Sequence, residues 1–290
     1  MTDLLYVNGG NPLNGTITVR GAKNFVSKAM VASLLGDGPS ELRNVPEIRD
    51  VNVVSGLLEL HGVAVDYDAP AGVLKLDPSN VESAHVADID THAGSSRIPI
   101  LFCGPLLHRL GEAFIPDLGG CRIGDRPINF HLDILRQFGA QVDKREQGIH
   151  LTAPNGLHGT KISLPYPSVG ATENILMAAV VAKGETVIDN AAREPEIGDL
   201  CALLTEMGAQ ITGIGTSTLR IEGVDSSSLR PVSHRVVSDR VQAATYIAAV
   251  GICGGEIFVE DAHAEHMEML IDRFVEMGMI ITPSDDGRLE

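Results

Sequence analysis

The chain has 290 residues, 44% of them hydrophobic, no Trp, and a formal net charge of −16. That length carries two domains with an aliphatic core. Such an acidic chain repels nucleic acid and anionic membrane, so an anionic ligand needs a local basic pocket. The start, "MTDLLYVNGG", has neither the basic nor the apolar region of a signal peptide. The longest apolar runs, such as "ILMAAVVA", fall short of the ~20 residues that span a membrane. The four cysteines show no CxxC spacing and no disulfide framework. A cytoplasmic protein with free thiols is the expectation.

In chain order, "LLYVNGG" and "GTITVRG" read as strands ahead of a repeat. The repeat is helix, strand, helix, strand, turn, strand. Its first helix recurs as "AMVASLLGDG", "PILFCGPLLHRLG", "ATENILMAAVVAKG" and "AATYIAAVGICGG". Its second helix and hairpin recur as "SGLLELHGVAVDYDAPAGVLKL", "LDILRQFGAQVDKREQGIHL", "LCALLTEMGAQITGIGTSTLRI" and "IDRFVEMGMIITPSDDGRLE". Leu200, Leu203, Leu204 and Met207 fall on one helical face. Gly62, Gly139, Gly208 and Gly278 follow the second helices and suit left-handed helix ends. Three copies fill residues 23–231, and a fourth begins near 234. The expected organisation is a complete domain at 22–231, with 1–21 and 232–290 forming an incomplete second one. The fourth copy reaches "GRLE" where its last strand should start, so a further C-terminal segment is expected.

Cys103, Cys201 and Cys253 sit on apolar helices and read as core. Met267, Met269, Met277 and Met279 read as core filling. His263 and His266 have HxxH rather than HxxxH spacing, so a solvated helix start is expected there and no metal site. Cys121 is different. In "DLGGCRIGDRPINFHL" it follows two glycines and lies near Arg122 and Arg126. A thiol beside cations can drop from a pKa of ~8.5 to ~3.5–7.5 and move protons near neutral pH. On local sequence a surface cysteine in a turn explains it as well. Arg20, Lys23, Lys28, Arg97, Arg122 and Arg126 recur beside glycines, the pattern of a local anion pocket. Arg20, Lys28 and Arg122 read as solvated surface charges.

Six segments together resemble the enolpyruvyl transferase family. They are "GAKN" (21–24), "SSRIPILFCGPL" (95–106), "GGCRIGDRPINFHL" (119–132), "SVGATENILMAA" (168–179), "NAAREPEI" (190–197) and "DR" (239–240). The resemblance implies an α+β fold, an αβ prism with three repeats per domain, in chains that run beyond residue 290. It implies transfer of the enolpyruvyl group of phosphoenolpyruvate to the 3′-hydroxyl of UDP-N-acetylglucosamine, with release of phosphate. It implies a place in peptidoglycan synthesis, and so in cell-wall biogenesis, cell shape and division. It implies these two small-molecule substrates and no cofactor.

By the same resemblance Cys121 is the proton donor and covalent nucleophile. Lys23, Asn24 and Arg126 hold phosphoenolpyruvate. Arg97, Arg126, Pro127, Ile128, Asn129, Phe130, Ser168, Val169 and Gly170 hold the nucleotide sugar. Pro127 also suits a first helical turn, as Pro46 and Pro195 do in the other repeats. Ser168 and Gly170 before a helix also suit a plain cap that offers backbone N–H groups to phosphate. Further family residues lie past residue 290, so the polypeptide alone is expected to be inactive or nearly so. The competing expectations are a UDP-sugar-binding fragment without catalysis and a sister transferase acting on a shikimate phosphate. "GAKN" and the cysteine loop argue against the sister.

Overall fold

A computed structural model describes residues 5–93, 97–116, 128–284 and 287–290. Tertiary contacts divide the chain into two units. One is Lys23–Val237; the other joins the residues up to Ala22 with Ser238–Glu290.

Strand β1 (Leu13–Thr18) comes first. The first repeat is α1 (Lys23–Ala32), β2 (Ser40–Arg43), α2 (Arg49–Leu60), β3 (Ala64–Asp68) and β4 (Val73–Asp77). Helix α3 (Val86–Ala93) and a 3-10 turn at Ile98–Phe102 precede the second. That is α4 (Cys103–Leu110), β5 (Glu112–Pro116), α5 (Asn129–Gln137), β6 (Gln141–Arg145) and β7 (Gly148–Thr152). Strand β8 (Lys161–Ser163) leads into the third: α6 (Val169–Ala179), β9 (Glu185–Asp189), α7 (Pro195–Met207), β10 (Gln210–Thr212) and β11 (Thr218–Glu222). Then come β12 (Ser233–Arg235), α8 (Arg240–Cys253), β13 (Gly255–Glu260) and α9 (Glu268–Glu276). The fold is α+β, and the helix–strand–helix–strand–strand repeat occurs three times in Lys23–Val237.

Each repeat makes the same sheet. Its last strand lies between the other two, giving β2-β4-β3, β5-β7-β6 and β9-β11-β10, all antiparallel. A parallel strand extends two of them: β12 beside β2, and β8 beside β9. Strand β4 shows why these segments are strands. Leu74 and Leu76 point inward, fully buried, and Lys75 between them points out. In the other unit β1 pairs in parallel with β13, and Leu289 bridges Val259.

The first helix of each repeat is the buried one. Helix α6 is buried at every residue from Ala171 to Ala179, as a helix apolar nearly all round must be. Helix α4 packs directly on α6. Helix α1 meets the turn before α4, and the turn after α1, Ser33–Leu35, meets α4. Gly104 allows the closest approach, since a Cβ there would sit 3.1 Å from the Ala178 backbone. The second helices end as their sequence requires. Gly62, Gly139, Gly208 and Gly278 have φ of 79°, 97°, 120° and 99°.

Three expectations fail here. Residues 5–10 form no strand, and Leu5, Tyr6 and Val7 are exposed. Cys253 is exposed at the end of α8, while Cys103 and Cys201 are buried. Burial pushes the Cys103 thiol far up and the Cys201 thiol up to about 12, so neither is reactive. Met267 is core, but Met269 on α9 and Met277 just past its end are each 78% exposed. The unit that carries these residues has a small core, made of Val19, Ala243, Ile247, Val259, Ala262, Met267 and Leu289. It leaves much of its two helices uncovered.

His234 on β12 clamps the end of the larger unit to α7. Its Nδ1 lies 2.9 Å from Glu206 and its Nε2 3.0 Å from Asp199, and the ring meets Phe25 edge-on. Burial opposes its charge. The hydrogen bonds to Asp199 and Glu206, with their charges, outweigh that and raise its pKa above the ordinary 6.5. Because the folded pKa is the higher one, this stabilisation is full below pH 6.5. It is lost as pH rises through the folded value. His234→Gln should cost about 2 kcal/mol near pH 6, and the gap should narrow on raising the pH to 9. Urea unfolding at several pH values measures this; a pH-independent gap refutes it.

Candidate functional site

The starts of α1, α4, α5 and α6 supply the candidate residues. Ser168 caps α6 with extended backbone, and its hydroxyl accepts from the Ala171 N–H at 3.4 Å. Thr172 serves elsewhere: its hydroxyl donates to the Ser168 carbonyl and accepts from the Ala192 N–H. That ties the α6 start to the loop before α7. Ser168, Val169 and Gly170 are half-buried, and they open the only end of α6 that reaches solvent.

Helix α5 brings its first turn to the same place. Ile128 precedes it, Asn129 is exposed, and Phe130 stacks on Tyr166 with ring centroids 6.2 Å apart and planes at 19°. His131 faces α6. Its Nδ1 lies 3.4 Å from the Asn174 amide nitrogen, and its Cε1 would be 3.7 Å from a Cβ at Gly170. Burial and then the charge of Arg97 hold the His131 pKa down at about 4. Arg97 therefore stands close to this cluster, at the start of the turn that runs into α4. The structure brings together Arg97, Ile128, Asn129, Phe130, Ser168, Val169 and Gly170.

Lys23 and Asn24 occupy the exposed first turn of α1. Lys23 lies 3.6 Å from Asp50 in the first turn of α2, a solvent-screened pair that leaves its ammonium accessible. Lys28, expected to be solvated, is not. It is 16% exposed, donates to the Asn24 carbonyl at 2.6 Å and pairs with Glu173 of α6 at 3.5 Å. The reason is its place on α1: every residue around it, from Phe25 to Ala32, is buried. Cys121, Arg122, Arg126 and Pro127 lie outside the described residues. No group of three or more His, Cys, Asp or Glu is placed to hold a metal among the described residues. No described helix is long and apolar enough to cross a membrane.

Sequence reasoning passed over Tyr166, His131, Glu173, Asn174 and Asp50. Glu173 and Asn174 had a readable signal, as two polar residues inside the apolar run "ATENILMAA". Tyr166 had little, since a lone aromatic before a cap is common.

The electrostatics of the cluster can be tested. With its pKa near 4, the His131 ring stays neutral at pH 5.5, where ordinary histidines are mostly charged. Arg97→Met removes the second cause and should move the His131 titration upward, by less than burial holds it down. Imidazole NMR titration reads both. A His131 that titrates near 6.5, or is unmoved in the variant, contradicts the arrangement.

The sequence family described as EPSP synthase (3-phosphoshikimate 1-carboxyvinyltransferase) matches residues 7–290. UDP-N-acetylglucosamine 1-carboxyvinyltransferase of Gluconacetobacter diazotrophicus is 44% identical over 286 residues, covering 98% of this chain and 67% of that protein. UDP-N-acetylglucosamine 1-carboxyvinyltransferase 1 of Staphylococcus aureus is 42% identical over 289 residues, with the same coverage. Among solved structures, the enolpyruvyl transferase NikO from Streptomyces tendae superposes with a TM-score of 0.85 at 22% identity. That match covers 97% of this chain and 66% of NikO. EPSP synthase from Acinetobacter baumannii gives 0.74 at 20%, over 97% and 64%. These two likenesses speak for the fold. The chain spans about two thirds of the length of its relatives. With 44% identity along nearly its whole length and the family match from residue 7 onward, the chain belongs to the enolpyruvyl (carboxyvinyl) transferase family.

Proposed function

We propose that the chain serves the transfer of the enolpyruvyl group of phosphoenolpyruvate to the 3′-hydroxyl of UDP-N-acetylglucosamine, in the cytoplasm, for peptidoglycan synthesis. The observation that carries this reading is the meeting of the starts of α5 and α6 beside Arg97. They offer helix N–H groups and one guanidinium to an anion, in a chain of net charge −16, whose relatives carry that name at 42–44% identity. Helix N-termini favour anions through free N–H groups and the helix dipole. The capped start of α6 suits the diphosphate, and the Phe130–Tyr166 stack offers a flat apolar face to a base. Arg97 adds a fork of donors.

The chemistry assigns the rest. The sugar hydroxyl gives up its proton, which ends on the released phosphate, as its oxygen bonds to C2 of phosphoenolpyruvate and C3 gains a proton. The C2–O bond to phosphate then breaks, and C3 returns a proton. Lys23, with Arg126, neutralises the phosphate and carboxylate as charge moves to the leaving group. Asn24 orients the bound molecule. Cys121 is the proton donor at C3, with cations nearby to lower its pKa. One observation favours a second reading, binding of the UDP-sugar without turnover. The described binding residues all fall within Lys23–Val237, which has its own core.

Isothermal titration with UDP-N-acetylglucosamine tests the binding. Arg97→Ala should weaken it about tenfold, ~1.4 kcal/mol. Shikimate 3-phosphate should not compete; if it alone binds, the sister activity is right. Phosphate release from phosphoenolpyruvate then separates turnover from binding. Fosfomycin, an epoxide that mimics a phosphate ester, should alkylate Cys121 faster when the nucleotide sugar is present. Equal modification of Cys121 and the exposed Cys253 would remove Cys121 from its assigned role.

A further inference from the structure

Glu173 poses a problem for any purely structural account of α6. It is 1% exposed, on the second turn of a helix that is otherwise nearly all apolar. Neither of its carboxylate oxygens accepts a hydrogen bond among the described residues. Lys28 pairs with it at 3.5 Å. Glu196 and Glu194, at the start of α7, add their negative charges to its surroundings. Burial, opposed in part by Lys28, lifts its pKa to about 7. A carboxylate in such a place gains little stability from its ion pair, because desolvation offsets the attraction. Well-packed apolar side chains would serve stability equally.

What the pair does is mechanical. Lys28 lies one turn beyond Asn24 on α1, and its ammonium holds the Asn24 carbonyl at 2.6 Å. Glu173 lies one turn beyond Ser168, Val169 and Gly170 on α6. The ammonium therefore links the first turn of α1, which carries Lys23 and Asn24, to the helix whose start carries the nucleotide-sugar residues. A shift of one relative to the other lengthens a contact that is already 3.5 Å.

We infer that Lys28 and Glu173 form a positioning pair, which couples occupancy of the α6 start by the nucleotide sugar to the placement of Lys23 and Asn24 for phosphoenolpyruvate. This deepens the proposed function and rests on it. Neither residue touches substrate; each acts through the helix starts it links.

The experiment measures the Kd of UDP-N-acetylglucosamine by calorimetry with and without saturating phosphoenolpyruvate, on the 290-residue chain. Coupling is reciprocal, so the ratio of the two values reports it. The wild-type ratio should be about fivefold or more. In the double variant Lys28→Met/Glu173→Leu the ratio should fall below about twofold. The Kd measured without phosphoenolpyruvate should stay within about twofold of wild type. Using both substitutions avoids a lone buried charge, which could unfold the chain. Lys28→Arg should restore most of the ratio. An unchanged ratio in the double variant overturns the inference, and so does a wild-type ratio near one when UDP-N-acetylglucosamine binds normally. If UDP-N-acetylglucosamine does not bind at all, the proposed function falls and the coupling with it.

Discussion

Each repeat in Lys23–Val237 must bury its first helix on every side, and the rest of the structure follows from that constraint. Helices α1, α4 and α6 give up almost all of their lateral surface to packing. A helix buried this way has its unsatisfied backbone groups at its ends alone. The N-terminal ends of α1 and α6, and the turn entering α4, are where the exposed and half-buried candidate residues lie. The candidate site is thus the exposed end of a buried bundle. That makes its framework rigid and its N–H groups pre-aimed, which suits recognition of anions.

The same constraint explains the polar residues that intrude into the core. Thr172, Glu173 and Asn174 are all nearly inaccessible. Each answers to a different neighbour: Thr172 to the loop before α7, Glu173 to Lys28, Asn174 to His131. These are three successive residues of one helix, so they face three directions at 100° intervals. One short polar stretch therefore fixes α6 against three other elements. Hydrophobic packing, which lacks direction, could not specify those angles.

Much of this was legible in the sequence. The glycines that close the second helices recur because a left-handed end needs them, and their φ values agree. The alternation in strands such as "VLKL" marked the sheets directly. What stayed hidden came from tertiary context. Lys28 looks like any solvated lysine until α6 is laid beside it with a carboxylate at its level. Cys253, Met269 and Met277 sit in apolar runs that imply burial, yet the unit around them has too small a core to cover both of its helices. For the site, motif residues on helix starts could be located from the sequence. The Phe130–Tyr166 stack and the His131–Asn174 contact join residues far apart in the chain, and no local spacing encodes them.

The parallel pairing of β12 with β2 has a further consequence. The hydrogen bond from the Val232 N–H to the Ser40 hydroxyl spans 192 residues of chain, and β12 lies on the open edge of the first sheet. Local hairpins in the repeats can form as soon as they are made, but this edge has no strand beside it until Arg235 has left the ribosome. Until then β2 offers unpaired N–H and C=O groups to any passing strand. The nascent chain thus carries an adhesive border through the 192 residues of synthesis that separate the two strands, until its own distant strand arrives.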